Sequence, residues 1–160
     1  MKLRRAPLLM ALALLSLLAA AWVWLQPYEW KPDSPDGTKI QSAQLTRDHS
    51  YFWLDLRLDP GQLHGLPHPL ELTRTDASTD TPTIKPVQVD FEGQGLAPGA
   101  NPEATLQNLR SISLRFWLEK AQLEHPLTLV AGTAHLTVRS RSGPPPLADG
   151  DRRTFRSHHW

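Results

Sequence analysis

Ser111-Ile-Ser-Leu-Arg-Phe-Trp-Leu118 alternates without a break, with Ile112, Leu114, Phe116 and Leu118 on one side and Ser111, Ser113, Arg115 and Trp117 on the other. Successive strand side chains point to opposite faces, so the stretch reads as one half-buried β-strand. Tyr51 to Leu58 repeats the design, with Phe52, Leu54, Leu56 and Leu58 on one face and Tyr51, Trp53, Asp55 and Arg57 on the other. Two such strands imply a sheet protein. The echo continues: Phe52-Trp53-Leu54 is followed by His68-Pro69-Leu70-Glu71-Leu72, and Phe116-Trp117-Leu118 by His125-Pro126-Leu127-Thr128-Leu129.

Working outward, Leu127–Val130 and Ala134–Arg139 flank Ala131-Gly132-Thr133 and read as a hairpin. Glu119–Glu124 is too short to bury a helical face and reads as a corner. Val87, Val89 and Phe91 alternate with Gln88, Asp90 and Glu92, giving another strand with one wet face. Leu70–Arg74 is a shorter strand, and Asp59-Pro60-Gly61 a turn. Thr38–Thr46 is a strand with a bulge or an early bend, because Ile40 and Leu45 are out of phase. Asn101-Pro102-Glu103 resembles a helix start, with one short helix to about Asn108. Thr75–Pro82 is a polar loop. Seven or eight short strands separated by turns predict an all-β fold, an immunoglobulin-like antiparallel β-sandwich over residues 38–160. No Cys-Trp-Cys framework exists, so that likeness is one of architecture. The expected core is Phe52, Leu54, Leu56, Val89, Ile112, Leu114, Phe116, Leu129, Leu136 and Val138.

Ahead of the sandwich, Lys2, Arg4 and Arg5 precede Ala6–Leu25, twenty residues without a charge. As a helix rising ~1.5 Å per residue this run would cross a ~30 Å hydrocarbon layer. Residues 1–25 therefore read as a signal-anchor or transmembrane segment, with Trp22, Trp24, Tyr28 and Trp30 as an aromatic belt. Ala19-Ala20-Ala21 also offers a cleavage site for a signal peptide. Either reading exports the following domain. The positive-inside bias places the N-terminus in the cytoplasm, as in a single-pass inner-membrane protein. Residues 26–37, rich in proline and aspartate, read as an extended linker.

Seventeen basic residues face sixteen acidic ones. A near-neutral balance predicts no nucleic-acid partner. The absence of cysteine removes disulfides, thiolate metal sites and cysteine nucleophiles. Neither a phosphate loop, a nucleophile elbow nor a dinucleotide fingerprint occurs. Asp55, Glu92 and Glu119 are the carboxylates available as acid and base, but they fall where exposed strand positions carry charge, and no enzyme is expected. His64 and His68 are separated by Gly65 and Pro67, which prevents a shared helical face. His158-His159 is able to chelate a borderline metal such as copper or zinc, but without a third clustered ligand the histidines read as exposed polar turn residues and no metal site is expected. No cofactor is expected.

Two surfaces stand out. Trp53 and Trp117 lie opposite the aliphatic stripe, as a docking patch or a platform for sugar rings, unless the C-terminal segment or the short helix covers them. Arg139, Arg141, Arg152, Arg153 and Arg156, with His158, His159 and Trp160, concentrate positive charge after the Gly143-Pro144-Pro145-Pro146 break. Arg152–Trp160 is expected as an ordered edge strand, with Phe155 entering the sandwich and Trp160 covering the outer aromatic face. The function expected from these features is that of a non-enzymatic, membrane-anchored, periplasm-facing interaction or assembly module. Its partners would be lipid at the N-terminal helix and another envelope protein. The alternative is a ligand-binding sandwich for cell-envelope glycan or copper.

Overall fold

Period-two alternation is realised as two antiparallel sheets. The computed structural model describes residues 5–24, 34, 36–62, 65–75, 83–93 and 109–160. Eight strands occur among them: β1 Lys39–Asp48, β2 Tyr51–Asp59, β3 Leu70–Arg74, β4 Gln88–Gly93, β5 Leu109–Glu119, β6 Leu127–Ala131, β7 Ala134–Arg139 and β8 Arg152–Phe155. One sheet has the order β4-β5-β2-β1-β8 and the other β3-β6-β7. The aliphatic stripes of both meet in one core, giving a sandwich-like fold. Nine of the ten expected core residues are buried, and Val89, near the sheet edge on β4, is partly so.

The strand echo becomes a pairing rule. The two Phe-Trp-Leu segments lie side by side, Trp53 opposite Trp117 and Leu54 opposite Phe116. The two His-Pro-Leu segments lead into β3 and β6, which pair with Leu72 opposite Leu129. The order β4-β5-β2-β1 over β3-β6 therefore reads the same from either half. In β1 the register shifts between Ile40 and Ser42, which lets Ile40 and Ala43, three apart, both face the core. The hairpin turn uses Gly132 at φ 63°, and its N–H donates to Pro69 O at 2.8 Å.

Several expectations are corrected or fall elsewhere. Lys120–Glu124 is a 3-10 turn that buries Leu123 completely, so the corner does contribute to the core. Of the linker, Ser34 and Asp36–Gly37 are described, and Asp36 O accepts from Gln62 N at 2.8 Å. The short helix expected at 101–108 lies outside the described residues, as does the polar loop beyond Thr75. Helix α1, Arg5–Trp24, exposes Leu9, Met10, Leu12, Leu14, Leu15, Leu17, Leu18 and Trp22 around its whole circumference. Among the described residues no helix is long and apolar enough to cross a membrane. The transmembrane expectation thus reduces here to an N-terminal helix with an uncovered apolar surface.

Candidate functional site

The outer face of β2 and β5 carries the first cluster. Pairing sets Trp53 beside Trp117 and Tyr51 beside Glu119, so Tyr51 reaches Trp117 diagonally. Their rings stack with centroids 4.3 Å apart and planes 26° from parallel. The indole N–H of Trp53 donates to Asp48 Oδ2 at 3.1 Å. Arg115 grips Asp55 through Nε at 2.6 Å and Nη2 at 3.2 Å, with its guanidinium 5.9 Å from the Trp53 ring centre. The hydrogen bonds and charge of Asp55 hold Arg115 above the usual arginine range. Tyr51 remains 40% exposed and Trp117 38%. Trp53 beside them is half-buried.

At the adjoining turn His49 has φ 55°, a left-handed conformation uncommon outside glycine. It is held by Asp149 Oδ1, which accepts from its backbone N–H at 2.6 Å, and by Asp48 Oδ1, 2.9 Å from Nδ1. Asp48, then Asp149, raise the His49 pKa; in return His49 and then Trp53 lower that of Asp48. Arg47 N donates to Asp151 O and Gly150 N to Arg47 O, docking the loop before β8 onto this turn.

The second cluster is built by the C-terminal segment. β8 pairs with β1 as an edge strand, Phe155 opposite Ala43 and Arg152 opposite Thr46. The chain then leaves the sheet and crosses to the end of β7, where Ser140 N donates to His158 O at 2.8 Å. Because strand periodicity stops at Phe155, Phe155 and Trp160 share a side: their rings stack 4.5 Å apart and 10° from parallel. Trp160 is 7% exposed and belongs to the core. The expected placement of Trp160 over Trp53 or Trp117 is therefore wrong.

Arg139 is likewise no surface residue. It is 1% exposed, donating Nε to Trp160 O at 2.7 Å, Nη1 to Leu123 O at 2.5 Å, and Nη2 to Gly143 O. It lies 5.1 Å from the Trp160 ring centre. Above it opens a groove of about 700 Å³ whose lining includes Arg141, Pro144–Pro146, Arg153, Arg156 and His159. Arg152 is exposed on β8 outside that lining. The structure thus gathers four of the five arginines, three as rim and one as buried tie.

His158 and His159 touch, ring centres 4.0 Å apart, and burial, then the charge of His159, lowers the His158 pKa. Among the described residues no three His, Cys, Asp or Glu side chains converge for a metal. His64 lies outside the described residues, and His68 is exposed. The three carboxylates are dispersed: Asp55 is bound to Arg115, Glu92 approaches Arg57 at 3.7 Å, and Glu119 ends β5. They fall at the β5 levels of residues 115, 111 and 119, about 13 Å apart along the strand.

Nothing in the sequence marked Arg139 or His49 for these roles; each depends on chain segments about a hundred residues away or on a strand that bends. No protein-family model, curated protein or solved structure matches this chain.

Proposed function

We propose that the chain is an envelope protein held at a membrane by its N-terminal segment, whose exported immunoglobulin-like domain docks another envelope protein and catalyses nothing itself. The observation that carries this reading is the partly exposed Tyr51–Trp117 stack beside half-buried Trp53. Tyrosine and tryptophan are enriched at the centres of protein interfaces, where they bury much area at little entropic cost. The polar atoms at its border are already engaged by Asp48 and Asp55, so a partner meets ring faces without stripping unpaired charges.

Four further features support it. The order β1-β2-β5-β4 against β3-β6-β7 corresponds to A-B-E-D and C-F-G of constant-type immunoglobulin domains, with β8 added beside A. The apolar circumference of α1 calls for a non-aqueous surrounding, each exposed leucine forgoing about 1.5–3 kcal/mol of burial. Ala6–Leu25 carries no charge and follows the basic Lys2, Arg4 and Arg5, as a membrane-attached segment with its start in the cytoplasm does. Finally, the chain joins the sandwich at Lys39, whereas the cluster lies at the Asp48–Tyr51 end, some 30 Å along β1.

The test is crosslinking and pull-down from detergent-solubilised membranes with wild type and the Trp53→Ala/Trp117→Ala double variant. A partner lost only from the double variant, at unchanged melting temperature, is the expected result. The stacked rings also favour a second reading, glycan binding. Co-sedimentation with cell-wall polysaccharide that requires both tryptophans, without any tryptophan-dependent protein partner, would establish it instead; copper binding by His158-His159 would leave the tryptophans irrelevant.

A further inference from the structure

The C-terminal groove is separate from the aromatic cluster and has a chemistry of its own. Its rim carries Arg141, Arg153, Arg156 and His159, with no aspartate or glutamate among its lining residues. All four side chains belong to exposed residues, and among the described residues no ion pair neutralises the arginines. One wall is β8, an edge strand whose far side pairs with no strand of the described sheet. Pro144–Pro146 also line it; three residues without an N–H, they cannot close onto β8 as a further strand. So do the stacked Phe155, the last residue of β8, and Trp160.

We propose that this groove binds an acidic, extended peptide segment of a partner protein, added along β8. The fit is one of both shape and charge. An edge strand supplies main-chain pairing to an extended chain, and alternate side chains of that chain then project toward one wall. Carboxylates there meet guanidinium groups, which take them in bidentate fashion. Arg153 and Phe155, two apart on β8, share that face, the guanidinium 5.6 Å from the ring centre, so the arginines stand over the apolar lining. A recessed site that includes Phe155 and Trp160 in its lining suits a peptide better than a bilayer surface, which needs protruding cations. The prolines keep the slot open and the single sign of charge selects the occupant.

The probe is fluorescein-labelled (Glu-Val)4, titrated into the full-length protein in neutral detergent and read by fluorescence anisotropy. Saturable binding is expected, weakened at least tenfold by Arg153→Glu/Arg156→Glu and weakened likewise in (Gln-Val)4. Methylating alternate backbone nitrogens of (Glu-Val)4 should also abolish it, and hydrogen exchange of β8 should slow when the unmodified peptide binds. Trp53→Ala/Trp117→Ala should leave peptide binding unchanged, so failure here and failure of the docking patch are distinguishable. The proposal is overturned by no saturation up to about 1 mM, by equal binding of (Gln-Val)4, or by undiminished binding of the methylated peptide. Arginine-dependent capture of anionic-lipid vesicles without β8 protection by peptide would likewise replace it with a headgroup site.

Discussion

Replacing Arg139 by methionine keeps a long, flexible side chain in the same slot but removes every donor from it. Three main-chain oxygens lose their partner: Trp160 O, Leu123 O and Gly143 O. A hydrogen bond to a charged group contributes about 1.5–3 kcal/mol net, so three at the low end amount to about 4.5. Gly143 is only half-buried and its carbonyl can turn to water, leaving about 3 kcal/mol for the two deeper acceptors. Methionine restores some packing and relieves the cost of burying a guanidinium, and both reduce the loss, to about 2 kcal/mol. For a domain of this size that lowers Tm by about 6–12 °C.

The assay is a thermal melt followed by circular dichroism, combined with hydrogen exchange at Ser140, whose amide reports whether His158 still docks. Arg139→Lys should fall between the two, since one ammonium retains the charge but cannot span three main-chain oxygens from separate segments. If Arg139→Met melts within about 1 kcal/mol of wild type and Ser140 stays protected, the guanidinium is not the tie that holds the C-terminal segment, and its burial is incidental.

Two further outcomes test the core and the electrostatics. Phe116→Ala should cost about 3–5 kcal/mol by opening a cavity in the fully buried stripe, while Arg115→Ala, which breaks an exposed pair with Asp55, should cost under ~1 kcal/mol; similar melting temperatures would mean the faces of β5 are inverted. By nuclear magnetic resonance, His49 should titrate above and His158 below the ordinary histidine value of about 6.5. The signs follow from linkage: stability from His49 is present below that value and lost as pH rises through its raised pKa, whereas that from His158 is present above it and lost as pH falls through its lowered one. Asp149→Asn should move the His49 titration down and leave His158 alone, and coincident titrations would refute both environments.

What the sequence made legible was whatever one strand can encode by itself. Alternation in 51–58 and 111–118 is a local property, so those strands, their buried faces and the bulge in β1 could be read from residue order. The likeness of the two Phe-Trp-Leu segments was also visible, but not that Trp53 and Trp117 would be opposite partners, because register depends on how the turns align. The short carboxy-terminal strand was legible too. Its continuation was misread because periodicity was extended past Phe155, where the chain turns to cross between sheets. Arg139 stands next to Val138 at a position that strict alternation sends to solvent. Only the arrival of Leu123, Gly143 and Trp160 from three directions makes burial of its charge tolerable.

That convergence bears on why an arginine stands where an aliphatic side chain would pack. A buried charge satisfied by hydrogen bonds adds little net stability over a well-packed apolar residue, but it accepts few alternative arrangements of its partners. Apolar contacts around Trp160 would permit the C-terminal segment to slide. Three directed bonds fix it against the 3-10 turn on one side and the start of the proline wall on the other. The spacing between Pro144–Pro146 and β8 is then set from beneath by Arg139, while Arg141, Arg153 and Arg156 remain at the rim. Chemically identical side chains thus divide into one that holds the slot's width and three that set its charge, a division imposed by desolvation: only the arginine with its donors committed to main-chain oxygens can be withdrawn from water.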